Sequence, residues 1–453
     1  MNVLPPESLT QAGNPTSCRA FPSDFLWGVS TAGYQVEGYS HNSQWTDWEN
    51  SGHIRSGDRS GAACDWWTHA ERDFDLARDL GLNALRLSVE WSRIEPEEGT
   101  WDRRALERYR EQLAALVGRG IRPVVCLHHF THPRWFEHKG AFLDPDAPRL
   151  FARFVRNVVE GLRDLCRCWV TFNEPNVYAA SGYVLGEFPP GKLGQIGTAI
   201  RVTSVLARCH WLAYRLIHEL QPDAEVGWAQ HYVVFEPVET VLDRWVAGFL
   251  NETFNEAFLE LIEQGCLRFP FSLLDGNVRE VEGACDFVGL NVYSRLHVAF
   301  DPLNLAQLFS RIFVPEHAPQ GDPGVERPYG EAYPEAVRMA VERASRLNKP
   351  IYILENGVPD ARDRIRPWLL VRVVEELHKL ICEGHDIRGY FHWTLTDNFE
   401  WTEGWRLRFG LVELNPATQA RTIRPSGRLY GEIARRNGLP LDLIDAYRSQ
   451  PEP

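Results

Sequence analysis

Short apolar runs recur along the chain, each rich in β-branched and aromatic residues and each preceded by a turn signal. They are FLWGVS from Phe25, ALRLSV from Ala84, PVVCLHH from Pro123, WVTFNE from Trp169, EVGWAQH from Glu225, FVGLNVY from Phe287, IYILE from Ile351 and IRGYFHW from Ile387. Between them lie segments with apolar residues at helical spacing, among them AERDFDLARDLG, RRALERYREQLAALVGRG, PRLFARFVRNVVEGLRDL, TFNEAFLELIEQG, EAVRMAVERASRLN and LLVRVVEELHKLICEG. Several end in Gly, a common helix terminator. Near-continuous apolar strands alternating with amphipathic helices predict parallel strands buried on both faces. Eight such units predict closure into a single (β/α)8 TIM barrel of the α/β class. A doubly wound open sheet would carry a glycine-rich phosphate turn after its first strand, and none stands there.

Strands follow one another at about 40 to 60 residues, more than the roughly 30 of a minimal βα unit, so the surplus belongs in loops. The Pro- and Gly-rich stretches GYVLGEFPPGKLG and FVPEHAPQGDPGVERPYG mark long insertions after strands four and six. No linker composition or internal repeat separates a second domain. The expected organisation is an N-terminal extension over 1–20, the barrel over 21–440 and a C-terminal tail over 441–453.

Composition narrows the partners. Of 453 residues, 44% are hydrophobic and 24% charged, the balance of a globular protein. The formal charge is -13 and no basic run appears, which argues against nucleic acid. No segment approaches the roughly 20 apolar residues of a membrane span, and the N-terminus lacks a signal-peptide pattern, so a cytoplasmic location is expected. The nine cysteines are scattered and sit mostly in apolar surroundings, as Cys126 and Cys285 do, and read as buried free thiols. Sixteen Trp and 14 Tyr exceed what is usual beside only two Met. Most must fill the core, while a few near strand ends can stack on sugar rings.

In such a barrel the chemistry lies at the C-terminal ends of the strands. Strand two carries Arg86, strand three ends in His128 and His129, strand four in Asn173 and Glu174, strand six in Asn291 and Tyr293, strand seven in Glu355 and Asn356, and strand eight in Trp393. Glu174 and Glu355 stand on opposing parts of the rim, each beside an Asn and each ending an apolar strand. One strand-end Glu is as readily a solvated rim residue, but two so placed suit glycoside hydrolysis, in which one carboxyl protonates the departing oxygen and the other attacks the anomeric carbon. A separation of about 5 to 5.5 Å gives retention through a covalent intermediate.

TFNEP at Thr171 to Pro175, with ENG at Glu355 to Gly357, resembles glycoside hydrolase family 1, the β-glucosidase family. FLWGVSTAGYQVEG, NALRLSVEWSRI, GLNVYS, WTLTDNFEW and RFGLV are similar to further family motifs, from about residue 21 to about residue 438. The resemblance implies a retaining β-glycosidase acting on β-glycosides or short β-linked oligosaccharides, with glucose, galactose and fucose all open as the glycone. It implies Glu174 as general acid and base and Glu355 as nucleophile, with Arg86 and Tyr293 holding Glu355 and Asn173 meeting the 2-hydroxyl. Gln35, His129, Glu400 and Trp401 would bond the sugar hydroxyls, Trp393 would form a stacking floor, and Phe409 would lie near C6. No cofactor and no metal are implied, and the oligomeric state is not.

The chain departs from the family pattern at informative places. Phe130, Thr131, His132 and Pro133 follow His129 where Trp-Asp-Leu-Pro is common, so an indole donor is lost and tolerance of more than one sugar is implied. Leu354 replaces a usual Thr or Ser before the nucleophile. Gly330 occupies a position where the family often has Trp, implying a wider leaving-group subsite. Glu400 stands where phosphosugar-specific relatives tend to have a small hydroxyl residue, which implies neutral glycosides.

Two other readings remain at this stage. His128, His129 and His132 suggest a metal-dependent barrel hydrolase, although adjacent strand residues diverge and strands one and eight lack matching ligands. A non-catalytic sugar-binding protein on the same fold would be expected to have lost a carboxyl, and both are present.

Overall fold

The structure is a computed structural model that describes residues 18–274, 276–304, 308–326 and 328–449. Eight parallel strands form its centre: β1 (Leu26–Ser30), β2 (Ala84–Ser88), β3 (Arg122–Cys126), β4 (Cys168–Asn173), β5 (Glu225–Pro237), β6 (Val288–Phe300), β7 (Ile351–Asn356) and β8 (Ile387–Trp393). Each pairs with the next in chain order, and β8 returns to β1 through Gly389↔Leu26 to Trp393↔Ser30, closing the barrel. Eight helices cover the outside: α1 (Trp66–Asp79), α2 (Arg103–Val117), α3 (Ala147–Leu162), α4 (Ile196–Leu220), α5 (Ala257–Gln264), α6 (Ala336–Ala344), α7 (Arg366–Cys382) and α8 (Pro425–Arg436). A TIM barrel is therefore what the alternating pattern builds.

Two apolar layers follow from strand alternation. One side of each strand fills the barrel interior, through Leu26, Val124, Cys126, Val170, Leu354 and Phe391. The other packs under the helices, where Trp27, Trp169 and Trp228 meet the buried stripe of α3, Leu150, Phe151, Phe154, Val158 and Leu162, and its neighbours. Gly28 makes the interior close: a Cβ there would lie 2.4 Å from the ring of Phe391.

β5 and β6 run for 13 residues each and rise beyond the other strands. The short strands Ser310–Phe313 and Glu331–Ala332 pair antiparallel with the upper part of β6 and thicken this wall. Away from the mouth, Cys18–Ala20 pairs antiparallel with Gly438–Pro440. Asn437, in the left-handed region at the end of α8, accepts from the indole of Trp27 at 2.8 Å and donates to the carbonyls of Phe21 and Pro22 at 3.0 and 2.9 Å. Leu441–Ala446 forms a short helix with Ile444 buried.

Candidate active site

The strands that bear the two carboxyls both lose register just before them. β4 shifts against β5 between Val170 and Asn173, and β7 shifts against β6 between Ile353 and Glu355. Strict alternation from the interior residues Tyr352 and Leu354 would send Glu355 out toward the helices. A bulge re-aims it, as bulges do at barrel rims. Glu174 sits one residue past β4 with φ 45, its N–H donating to Ala229 O at 2.7 Å, and Pro175 opens the helix Pro175–Tyr183 behind it.

Both carboxyls are buried, and different partners hold them. Glu355 accepts from Arg86 on Oε1 and from the Tyr293 hydroxyl on Oε2. Glu174 Oε1 lies 2.8 Å from Asn291 Nδ2 and 2.8 Å from His231 Nδ1. Asn173 joins the two halves. Its Oδ1 accepts from Arg86 at 2.5 Å and from Asn291 at 3.0 Å, and its Nδ2 lies 3.0 Å from His129 Nε2. The ring of His231 stacks on that of Tyr293 at 5.6 Å and 21°, so a partner of one carboxyl supports a partner of the other.

Burial pushes the Glu355 carboxyl up, to about 7; the charge of Arg86 pulls it down, that of Glu174 raises it, and the hydrogen bonds from Tyr293 and Arg86 lower it. The charge of Glu174 thus acts on Glu355 across the site. Burial and the Arg86 charge hold His129 well below the usual histidine range, as a neutral ring. Burial, followed by the charge of Glu355, raises the Tyr293 phenol and keeps it a hydrogen-bond donor.

A second cluster lies beside the pair. Glu400 accepts from Trp393 Nε1 at 3.0 Å on one oxygen and from Gln35 Nε2 at 3.2 Å on the other, and burial pushes its carboxyl up to about 8. His129 is held between Trp393 at 6.0 Å and Trp401 at 5.9 Å, both near parallel, and Trp401 stacks in turn on Tyr34. Gln35 Oε1, His129 Nδ1 and Asn291 Oδ1 are buried without a protein partner. Unpaired buried polar atoms are costly, and a polyol supplies the donors and acceptors they lack. Phe409 contacts Tyr293 at 6.0 Å and Tyr329 at 5.1 Å, and so belongs to the Tyr293 side of Glu355, whereas Asn173 is tied to the Arg86 side.

The structure thus brings Arg86, Asn173, Glu174, Tyr293 and Glu355 into one network and Gln35, His129, Trp393, Glu400 and Trp401 into a second that meets it at His129. His128 faces away from His129, packing on Phe142, Phe172 and Tyr178, with its Nε2 3.4 Å from His132 Nδ1. His132 bonds Glu137 at 2.8 Å, so the three histidines do not converge. Among the described residues no group of three or more His, Cys, Asp or Glu side chains is placed to hold a metal ion.

Two residues that face the carboxyls were not singled out from sequence. His231 ends the fifth apolar run, EVGWAQH, midway along β5, and reading that run's end as the others were read finds it. Tyr329 lies on a long loop and carries no strand signal. Elsewhere, a cleft of about 450 Å³ opens between the 251–256 segment and α6, lined by Arg268, Arg343 and Arg346 with Glu252, Glu256 and Glu342. Arg343 there is engaged by Glu256 and Glu263 at 2.5 and 2.8 Å, an ion-pair cluster without a carboxyl pair facing a common point.

Comparison with known proteins agrees with this geometry. The model of glycosyl hydrolase family 1 matches residues 17–439. Beta-glucosidase A of Thermotoga maritima is 32% identical, across 93% of this chain and 99% of its own length. The beta-galactosidase of Pyrococcus woesei is 28% identical, across 92% and 98%. Among solved structures, the beta-glycosidase from Pyrococcus horikoshii superposes with a TM-score of 0.86 at 34% identity, covering 95% of this chain and 98% of that one. The Thermotoga maritima beta-glucosidase in complex with deoxynojirimycin gives 0.84 at 31% identity, covering 93% and 100%.

Proposed function

The chain belongs to glycosyl hydrolase family 1, whose members are retaining β-glycosidases, and from that premise we propose that Glu355 is its nucleophile and Glu174 its general acid and base. A Glu355 oxygen attacks the anomeric carbon as the glycosidic C–O bond breaks, and the departing oxygen takes the proton of Glu174. In the second step Glu174 removes a proton from water, the water oxygen bonds the anomeric carbon, and Glu355 leaves as carboxylate. Two inversions at one carbon give retention.

The observation that carries this division is the difference in partners. Arg86 and Tyr293 bond Glu355 and not Glu174, stabilising charge where the nucleophile needs it. Asn173, tied to Arg86 and adjacent to Glu174, is placed to meet the 2-hydroxyl, where bonds that tighten in the transition state raise the rate. Gln35, His129, Glu400 and Trp401 bond the remaining hydroxyls of the glycone, and Trp393 and Phe409 wall it.

The test separates the two roles by leaving group. Replacing Glu355 with Gln should lower kcat for every aryl β-glucoside by about 10⁴-fold or more, the scale of losing a nucleophile. Replacing Glu174 with Ala should cost roughly 10²- to 10⁴-fold with a poor leaving group and far less with 2,4-dinitrophenolate, which departs unprotonated. Equal losses for good and poor leaving groups in the Glu174 variant would refute the assignment.

Relatives carrying both beta-glucosidase and beta-galactosidase names support terminal β-glucosyl and β-galactosyl residues, free or on short oligosaccharides, as substrates. The loss of an indole at Phe130, whose ring packs on Phe188 and Trp401, supports the same tolerance. All nine cysteines are free, which supports a reducing compartment such as the cytoplasm. No helix among the described residues is long and apolar enough to cross a membrane.

A further inference from the structure

Tyr329 borders the same group of residues, and no role has been given to it so far. Its ring meets Tyr293 edge-on at 6.0 Å and Phe409 edge-on at 5.1 Å. It is half-buried and lies within electrostatic reach of all three site carboxyls, Glu400 most strongly, then Glu174 and Glu355. Its hydroxyl has no hydrogen-bond partner among the described residues.

The segment that presents Tyr329 is fixed. Glu331 accepts from Arg295 at 2.7 and 2.8 Å and lies 3.0 Å from His297, and Ser294↔Ala332 and Arg295↔Glu331 pair it to β6. The Arg295 guanidinium lies 3.8 Å over the ring of Tyr333. Gly330 permits the close approach: its φ is 152, and a Cβ there would lie 2.4 Å from Ser294 Cβ and 2.5 Å from its Oγ. The chain is therefore pinned to β6 at Glu331 and Ala332, immediately after Tyr329 and Gly330.

The orientation of a bound pyranose follows from the network. Its C1 must lie between Glu174 and Glu355, and its 2-hydroxyl faces Asn173, on the β4 side. The ring oxygen, C5 and C6 occupy the opposite edge of a pyranose, which here is the edge walled by Phe409 and Tyr329. Its far end meets Glu400 and Gln35. A hydroxyl projecting from C6 on that edge lies between Glu400 and the reacting carboxyls, the three groups whose charges Tyr329 feels from its place on Tyr293 and Phe409.

We infer that Tyr329 is a specificity-determining residue of the glycone subsite, its hydroxyl bonding the exocyclic 6-hydroxyl of the sugar and its ring covering C6. The inference rests on the assignment of Glu174 and Glu355 as the reacting pair. It makes the enzyme favour hexosides with a free 6-hydroxyl over their 6-deoxy counterparts, because losing that group leaves the phenol unpaired.

The 4-nitrophenyl glycosides of β-D-galactose and β-D-fucose differ only in that hydroxyl, so the ratio of their kcat/KM values reads this contact and cancels any loss of folded enzyme. Replacing Tyr329 with Phe removes one oxygen and keeps the ring; the galactoside-to-fucoside ratio should fall roughly 3- to 10-fold, the value of one hydrogen bond, with fucoside turnover little changed. A ratio that is unchanged or higher in Tyr329→Phe overturns the inference, whatever happens to the absolute rates. Wild-type enzyme inert toward both glycosides would instead overturn the functional reading on which it stands.

Discussion

As the proposed nucleophile Glu355 has to be ionised, yet it is buried and feels the charge of a second carboxyl, Glu174. Burial raises its pKa to about 7, and the Arg86 charge is the largest opposing influence. The acid limb of kcat/KM should therefore lie well above the ordinary carboxyl range, activity falling as pH drops through it. Arg86→Lys keeps a charge but not the planar fork that spans Glu355 and Asn173. In that variant the limb should move to higher pH and kcat should fall by about 10²-fold or more, since Asn173 loses its anchor as well. A limb that stays in place or moves to lower pH, measured in pH-rate profiles, would show that Arg86 does not set the charge on Glu355. The residue identities at this site were largely legible in the sequence because strand ends announce themselves by a polar residue after an apolar run. His231 follows the same rule at the end of EVGWAQH. Tyr329 follows none, since its place depends on the pairing of Glu331–Ala332 with β6, a contact between segments that no local pattern encodes.

At the level of elements, the eight apolar runs coincide with the eight strands, but their lengths do not all follow. EVGWAQH and FVGLNVY mark only the lower parts of β5 and β6, which continue through more polar residues to Pro237 and Phe300 because they pair with each other above the rim. Inward and outward facing was also illegible near the carboxyls. Counting by twos from Leu354 puts Glu355 on the wrong side, and only the register shift against β6 corrects it. Away from the mouth, Asn437 ties the end of α8 to the chain before β1. Asn437→Gly keeps the left-handed backbone while removing three side-chain hydrogen bonds, one of them to the fully buried indole of Trp27. It should cost about 1 to 3 kcal/mol of stability, seen as a lower urea midpoint at unchanged slope, and leave kcat/KM intact. A parallel loss of activity would mean that this end of the barrel communicates with the mouth.

Taken whole, the molecule carries several carboxyls whose pKa burial raises: Glu90 and Glu400 are pushed up to about 8 and Glu355 to about 7. In the unfolded chain these groups ionise near the reference value of 4.5, so between that pH and about 8 the folded state binds more protons. Their contribution to stability is complete below about 4.5 and is lost as pH rises through 7 to 8. Carboxylates held low, such as Glu331 by Arg295 and His297 against its own burial, act only when pH falls below the ordinary carboxyl range. Urea unfolding at pH 7, 7.5, 8 and 8.5, above the range in which unfolded histidines take up protons that buried rings such as His129 do not, should show stability declining across the series with a slope of about 1.4 kcal/mol per pH unit for each net proton. Stability that is flat or rising over that interval would mean these carboxyls are ionised in the native protein.

β6 touches both halves of the chemistry: Asn291 reaches Glu174 and Tyr293, two residues on, reaches Glu355. Alternate residues of a strand point the same way and are separated by about 6.6 Å, a distance set by covalent geometry rather than by packing. The interval between the partners of Glu174 and Glu355 is thus gauged by a rigid ruler that belongs to neither carboxyl. Loops around the mouth can lengthen, shorten or exchange aromatic residues, and so retune which sugar is admitted, without changing that calibration.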